Sequence, residues 1–393
     1  MNKAAVVLAS VLISTGAARA ENQPAAPATP PVTDFSQGVG PHAMPVLPSP
    51  AAAPAAPPAG APADAPAAPE AKPAPSPVAL ACANSSGATA PAQRVEACSA
   101  LIDSHKWTGK DIAWAYANRC AALALLKQYE KALADCSEAI AQDDNQATAH
   151  ELRGQLYNKH GDSAEALADF DKAVALGANS PALFSRRGLL RLLAGDPRKA
   201  LESFDREVEI AGGSADSWLD RGSAWLGVGD DAKAEQDFAK ATELSPNDPQ
   251  TWLNRGVAAL SAGDKAKAAE YFGEALKRDP NQTYAALWRF LARDGAAQAK
   301  SDLLAFAEKA PKTWPYAVTQ LYLGRASAAQ TLAAAESADQ QCEAQFYIAR
   351  HQLMKGDAKA AAPGFKRAAE TCPKNFIEYF RAVAELKKAE AAK

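Results

Sequence analysis

A chain of 393 residues with 42 Lys and Arg against 45 Asp and Glu, formal charge −3, has no basic excess to hold nucleic acid or an anionic membrane surface. Of its 27 prolines, 17 fall between Pro24 and Pro77 in a stretch that is otherwise mostly alanine, which excludes a packed core there. The remainder is long enough for about two domains of ordinary size.

Residues 1–20 read as an export signal. Lys3 gives a positive start, Ala4 to Ile13 an apolar run, and Ala18-Arg19-Ala20 a small-x-small cleavage site before Glu21. The run is too short to cross a bilayer, so cleavage is favoured over an uncleaved anchor, and no cysteine follows it where lipidation would need one. The expected product is periplasmic or secreted with no direct membrane anchor; losing Lys3 and Arg19 takes its charge from −3 to −5. Residues 21–85 are expected to be a disordered Pro/Ala-rich linker. Ordered structure should begin between Cys82 and Pro91, with Glu96 to Ile102 as an orphan second helix capping the helical array, since it echoes Ala134 to Ile140.

From Arg119 a step of 34 residues lands on Arg153, Arg187, Arg221, Arg255 and Arg289. The next residue reads Cys120, Gly154, Gly188, Gly222 and Gly256, breaking at Phe290. Twelve further on stand Ala132, Ala166, Ala200, Ala234 and Ala268, and four beyond those Cys136, Phe170, Phe204, Phe238, Phe272 and Phe306. Trp218, Gly222, Ala234, Phe238 and Pro246 form one of the fullest copies. The chain therefore resembles the tetratricopeptide-repeat (TPR) family. The resemblance implies an all-α fold, a right-handed α-solenoid of antiparallel hairpins. A capping helix and five repeats are expected over residues 86–282.

Each repeated position has a physical reading. The small residue of the first helix is expected to face the alanine of the second, allowing close approach. The phenylalanine should be hidden by a neighbouring hairpin. Gly161-Asp162, Gly195-Asp196, Gly229-Asp230 and Gly263-Asp264 mark turns, glycine ending one helix and aspartate capping the next. The arginine ladder could be a basic track for phosphate, but Asp135, Asp169 and Asp237 follow Arg119, Arg153 and Arg221 by sixteen residues. That spacing favours structural ion pairs across each hairpin.

Residues 283–393 carry a degenerate repeat, a last hairpin over Cys342 to Cys372 with its turn at Gly356-Asp357 and Ala360 packing inward, and a capping helix from Asn375 to about Lys388. Leu321 to Ser327, Cys342 to Tyr347, Lys355 to Asp357 and Asn375 to Tyr379 resemble the C-terminal part of the NlpI-type TPR lipoproteins. That resemblance implies a non-catalytic envelope adaptor that gathers peptidoglycan hydrolases or an envelope protease, possible as a homodimer. This chain departs from the family in lacking the lipidation cysteine and in carrying the long Pro/Ala segment.

Six cysteines in an oxidising compartment call for disulfides, of which 15 pairings are possible. Hairpin geometry brings Cys342 to Cys372 and Cys120 to Cys136, leaving Cys82 for Cys98. The five histidines are scattered, and His150 occupies the repeat position of Trp218 and Trp252, which suits packing rather than metal. No P-loop or G-x-S-x-G elbow occurs, so no catalytic residue, cofactor or metal is expected.

The family places its ligand-binding wall on the first helix of each hairpin. Here that implies Trp114, Leu125, Asn158 and Lys159, then Leu189, Leu192, Leu193, Leu219, Leu226, Leu253, Val257 and Leu260. The Lys and Asn pattern that clamps a terminal carboxylate is absent. Either the apolar run is an open wall for an amphipathic helix or extended apolar segment, or its leucines pack against neighbouring hairpins or under the chain's own C-terminal helices. Two functions stay open: an adaptor binding other envelope proteins or peptides, and a structural or assembly factor for envelope export or outer-membrane machinery.

Overall fold

The computed structural model describes residues 76–84 and 87–391, which form 19 α-helices and no strand. Residues 1–20 and most of the expected linker lie outside the described residues. The described helices divide into two compact units, 76–179 and 180–391.

The first unit contains α1 (Pro77–Ala83), α2 (Pro91–Asp103), α3 (Lys110–Leu125), α4 (Tyr129–Gln142), α5 (Ala147–His160) and α6 (Ser163–Ala175). Helix α1 falls inside the segment assigned to the linker, whose boundary at residue 85 is therefore too late. It forms because Ser76 accepts a hydrogen bond from the Ala79 N–H at 3.2 Å and Pro77 sits at the first helical position, where no amide is needed. Helix α2 packs on α1, so the unit opens with a short hairpin and not with an orphan helix.

The glycine of each first helix meets a ring. A Cβ on Gly154 would stand 2.8 Å from the Phe170 ring, and Gly188, Gly222 and Gly256 meet Phe204, Phe238 and Phe272 at 2.6, 2.5 and 2.6 Å. The aromatic edge lies on the bare backbone of the partner helix, and at Gly154 the Ala166 carbonyl also comes within 3.1 Å of the same position, the approach of glycine to alanine that the repeat implies. The alanines Ala166, Ala200, Ala234 and Ala268 are nonetheless fully buried. In α3 and α4 the same two slots hold Cys120 and Cys136, and a disulfide with Cα atoms 5.4 Å apart replaces the ring against glycine. Hairpin α1–α2 repeats the device with Cys82 and Cys98, again sixteen residues apart and 4.8 Å between Cα atoms.

The second unit holds three regular hairpins: α7 (Pro181–Leu193) with α8 (Pro197–Ala211), α9 (Ala215–Val228) with α10 (Asp231–Leu244), and α11 (Pro249–Ser261) with α12 (Lys265–Arg278). Their turns use Gly195, Gly229 and Gly263 at φ of 80°, 85° and 88°, which only glycine adopts cheaply. Asp196, Asp230 and Asp264 then cap the second helices, accepting from the Lys199, Lys233 and Lys267 amides at 3.2, 3.1 and 3.1 Å.

After these come α13 (Thr283–Ala292), α14 (Ala297–Ala307), α15 (Tyr316–Leu323), α16 (Ala328–Ala333), α17 (Ala338–Met354), α18 (Ala358–Thr371) and α19 (Ile377–Ala391). One apolar core runs from Leu192 to Ala382, so α13–α19 share the interior of the regular hairpins and no division falls at residue 282. Trp288 lies at its centre against Phe346 and Tyr347, ring centroids 5.9 and 5.8 Å away. In the α17–α18 hairpin Ala361 is buried and Ala360 only half-buried, so the inward alanine at the start of α18 is one residue later than expected. Cys342 and Cys372 close its open end with Cα atoms 5.1 Å apart. The last helix begins at Ile377 and reaches Ala391, slightly later at both ends than its apolar pattern predicts.

Candidate functional site

The arginine ladder is occupied by the fold. Arg119 makes two hydrogen bonds to Asp135 at 2.7 and 2.8 Å, Arg153 two to Asp169 at 2.7 and 2.9 Å, and Arg221 two to Asp237 at 2.7 and 2.8 Å. These forks hold all three guanidiniums above their ordinary pKa, against the opposing effect of burial. Where the aspartate is missing the partner changes. Arg187 donates to the Ser203 hydroxyl at 3.1 Å, and Arg255 donates to Glu235 at 2.8 Å and lies over the Tyr271 ring. The buried His150 places Nδ1 2.9 Å from Asp169, joining the same network. No phosphate track remains along this ladder.

In the first unit, the proposed wall residues have local duties. Trp114 is half-buried against the cluster around Cys82 and Cys98, and its Nε1–H donates to the Asp111 carbonyl at 2.9 Å. The Lys159 ammonium sits 4.8 Å from the centre of the Tyr129 ring. Leu125 and Asn158 are half-buried.

In the second unit the apolar run is largely interior. Leu192, Leu219, Leu226, Leu253, Val257 and Leu260 are buried in the core, Leu189 is half-buried, and Leu193 alone of the eight is exposed, at 43%. An open wall would have left them accessible. What covers part of this face is the last helix: Tyr379, Phe380 and Val383 of α19 stand across a cavity of about 360 Å³ from Leu192, Leu226 and Val228. Farther along, Arg381, Glu385 and Lys388 face Leu260, Trp288 and Arg350 across a second cavity of about 390 Å³. Arg350 donates to Glu385 at 3.2 Å, and Lys374 lies against Gly195.

Among the buried acids that escape the sequence reading, three are held above the usual carboxylate range. Glu343 accepts from the Tyr284 hydroxyl at 3.0 Å and the Trp314 indole at 2.8 Å, while Glu378, at the start of α19, accepts from the Tyr347 hydroxyl at 2.7 Å. Burial and the neighbouring Glu378 push Glu343 well above the usual carboxylate range, and burial raises Glu378 to about 7. Glu207 is raised to about 7, chiefly by burial, although the Ser217 hydroxyl donates to it at 2.8 Å. The repeat register could have flagged Glu207, because Ala139, Ala173, Ala241 and Ala275 hold the same slot in the other repeats. Nothing in the period could have paired Glu343 with Glu378.

Among the described residues no group of three or more His, Cys, Asp or Glu could hold a metal ion, and no helix is long and apolar enough to cross a membrane. Residues 120–181, 186–249, 228–283 and 253–298 match the tetratricopeptide repeat. Similar solved structures include YrrB, described as a TPR protein with an unusual peptide-binding site, at 27% identity over 49% of this chain and 96% of that one, TM-score 0.46. A tetratricopeptide repeat protein from Parabacteroides merdae is 16% identical over 63% and 96%, TM-score 0.40. The 41-end fragment of MamA from Desulfovibrio magneticus is 24% identical over 43% and 96%, TM-score 0.40. No curated protein matches the chain significantly.

Proposed function

We propose that this tetratricopeptide-repeat protein is a non-catalytic scaffold of the cell envelope that binds other proteins or peptides through its helical hairpins. The observation that carries the reading is the unbroken hairpin register from Arg119 to Phe272, matched as tetratricopeptide repeats. Such repeats serve protein–protein interaction because stacked hairpins present an extended surface that no single repeat could stabilise alone. The envelope location is supported by the signal-like residues 1–20 and by the six cysteines, all joined in disulfides, a state that persists in an oxidising compartment. Recruitment of peptidoglycan hydrolases or an envelope protease is suggested by the likeness of residues 321–379 to the NlpI-type proteins.

The test has two parts. Mass analysis of protein from the periplasmic fraction should give an N-terminus at Glu21. Cross-linking in cells with a tagged mature chain, then rebinding of the purified partners, should yield hydrolases or a protease. An intact Met1 on cytosolic protein would refute the location. Rebinding of export machinery alone would move the function to envelope assembly.

A further inference from the structure

The second unit breaks its own repeat at one buried position. Where other repeats hold Ala139, Ala173, Ala241 and Ala275, all fully buried, α8 carries Glu207, which is 7% exposed. The Ser217 hydroxyl of α9 donates to its Oε1 at 2.8 Å, and Ser214, which caps α9, stands 2.9 Å from Ser217, oxygen to oxygen. The Ser185 hydroxyl of α7 and the Asp216 carboxylate of α9 lie in the same neighbourhood. Oε2 of Glu207 is buried and has no hydrogen-bond partner among the described residues.

A buried carboxylate is costly unless a cation or a full set of donors meets it. Among the described residues Glu207 forms no ion pair, and arginines of the same helices are engaged elsewhere. Arg187 donates to Ser203, Arg206 pairs with Glu209, and Arg221 holds Asp237 and Asp205. Alanine fills this slot in four other repeats, so the hairpin itself does not require an acid there. Ser185 and Asp216 are half-buried and Ser214 is exposed, so the cluster reaches the surface through them.

We propose that Glu207, with Asp216 and the hydroxyls of Ser185, Ser214 and Ser217, is a subsite for a primary ammonium group of the bound protein or peptide, carried on a lysine side chain or a free amino terminus. This inference deepens the scaffold reading and rests on it. An ammonium group is a compact charge with three donors, suited to Oε2 and to the neighbouring oxygens together, whereas a guanidinium fork calls for a planar bidentate acceptor. Its binding supplies the positive charge that the fold leaves out.

The probes are three pentapeptides titrated calorimetrically into the full chain: acetyl-Ala-Leu-Lys-Leu-Ala-amide, the same peptide with its lysine acetylated, and Ala-Leu-Ala-Leu-Ala-amide with a free amino terminus. A peptide that carries an ammonium group should bind about tenfold or more tightly than the acetylated one. Preference for the first identifies a lysine side chain as the source, and preference for the third an amino terminus. Glu207→Ala installs the residue that other repeats carry, and it should abolish the preference; if that variant does not fold, Glu207→Gln, which conserves the volume, decides. Equal affinity for all three peptides, a preference that survives loss of the carboxylate, or no binding of any peptide overturns the proposal. A partner from cells that binds the native chain and Glu207→Ala equally leaves the scaffold reading intact and overturns this one.

Discussion

Replacing Gly222 by alanine isolates the contact on which each hairpin is built. The added Cβ would lie 2.5, 2.8 and 3.1 Å from three atoms of the Phe238 ring, whereas ordinary contacts begin near 3.4 Å. Phe238 is fully buried and cannot turn aside, so the two helices must part by several tenths of an ångström. Overpacking of this kind costs roughly 1–3 kcal/mol, offset by the ~1 kcal/mol that alanine gains over glycine within a helix. Gly273 in α12 supplies the control, since its nearest neighbour would be the Arg289 guanidinium at 3.6 Å. Gly273→Ala carries the same helix gain without the clash, so the difference between the two variants is the packing cost itself, roughly 1–3 kcal/mol. Urea unfolding monitored by circular dichroism measures both. A double-mutant cycle of Gly222→Ala with Phe238→Leu should show favourable coupling, because the smaller side chain makes room for the methyl group. Equal stability of Gly222→Ala and Gly273→Ala would refute the argument.

Arg221→Lys should lower stability by about 1–3 kcal/mol, since lysine cannot reproduce the fork on Asp237 together with the 3.0 Å bond to Asp205; urea midpoints no lower than wild type would count against a structural role for the ladder. Peptide mapping under non-reducing conditions should recover Cys82–Cys98, Cys120–Cys136 and Cys342–Cys372. Reduction should cost on the order of 3 kcal/mol for each loop, and six free thiols in periplasmic protein would contradict the hairpin register. Glu207 has a folded-state pKa raised to about 7 from 4.5, so the folded protein holds the extra proton between those values. Its contribution to stability is complete below about pH 4.5 and is lost as pH rises through about 7, a change of roughly 3 kcal/mol. Glu207→Gln should flatten that part of the profile in urea melts from pH 5 to 8, and an unchanged slope would remove Glu207 as its source.

The hairpins, their turns, the arginine–aspartate forks and the cysteine pairs are legible in the amino-acid sequence because each joins residues a short, repeated distance apart. Gly154 meets Phe170, Arg153 meets Asp169 and Cys120 meets Cys136 across the same sixteen residues, so the period of the repeat encodes the contact. That the phenylalanine ring comes closer to the glycine than the alanine does is not legible, because both recur with the same period, and periodicity cannot tell which of two buried residues lies nearer the backbone. Tertiary structure alone decided the fate of Leu192, Leu226 and Leu260. On their own helices they look like a wall, and they are interior because neighbouring hairpins and α19, more than a hundred residues away, come to lie against them. It also decided that Glu343 and Glu378 share one buried site, since a contact between a late hairpin and the closing helix occurs once in the chain and leaves no repeat to read.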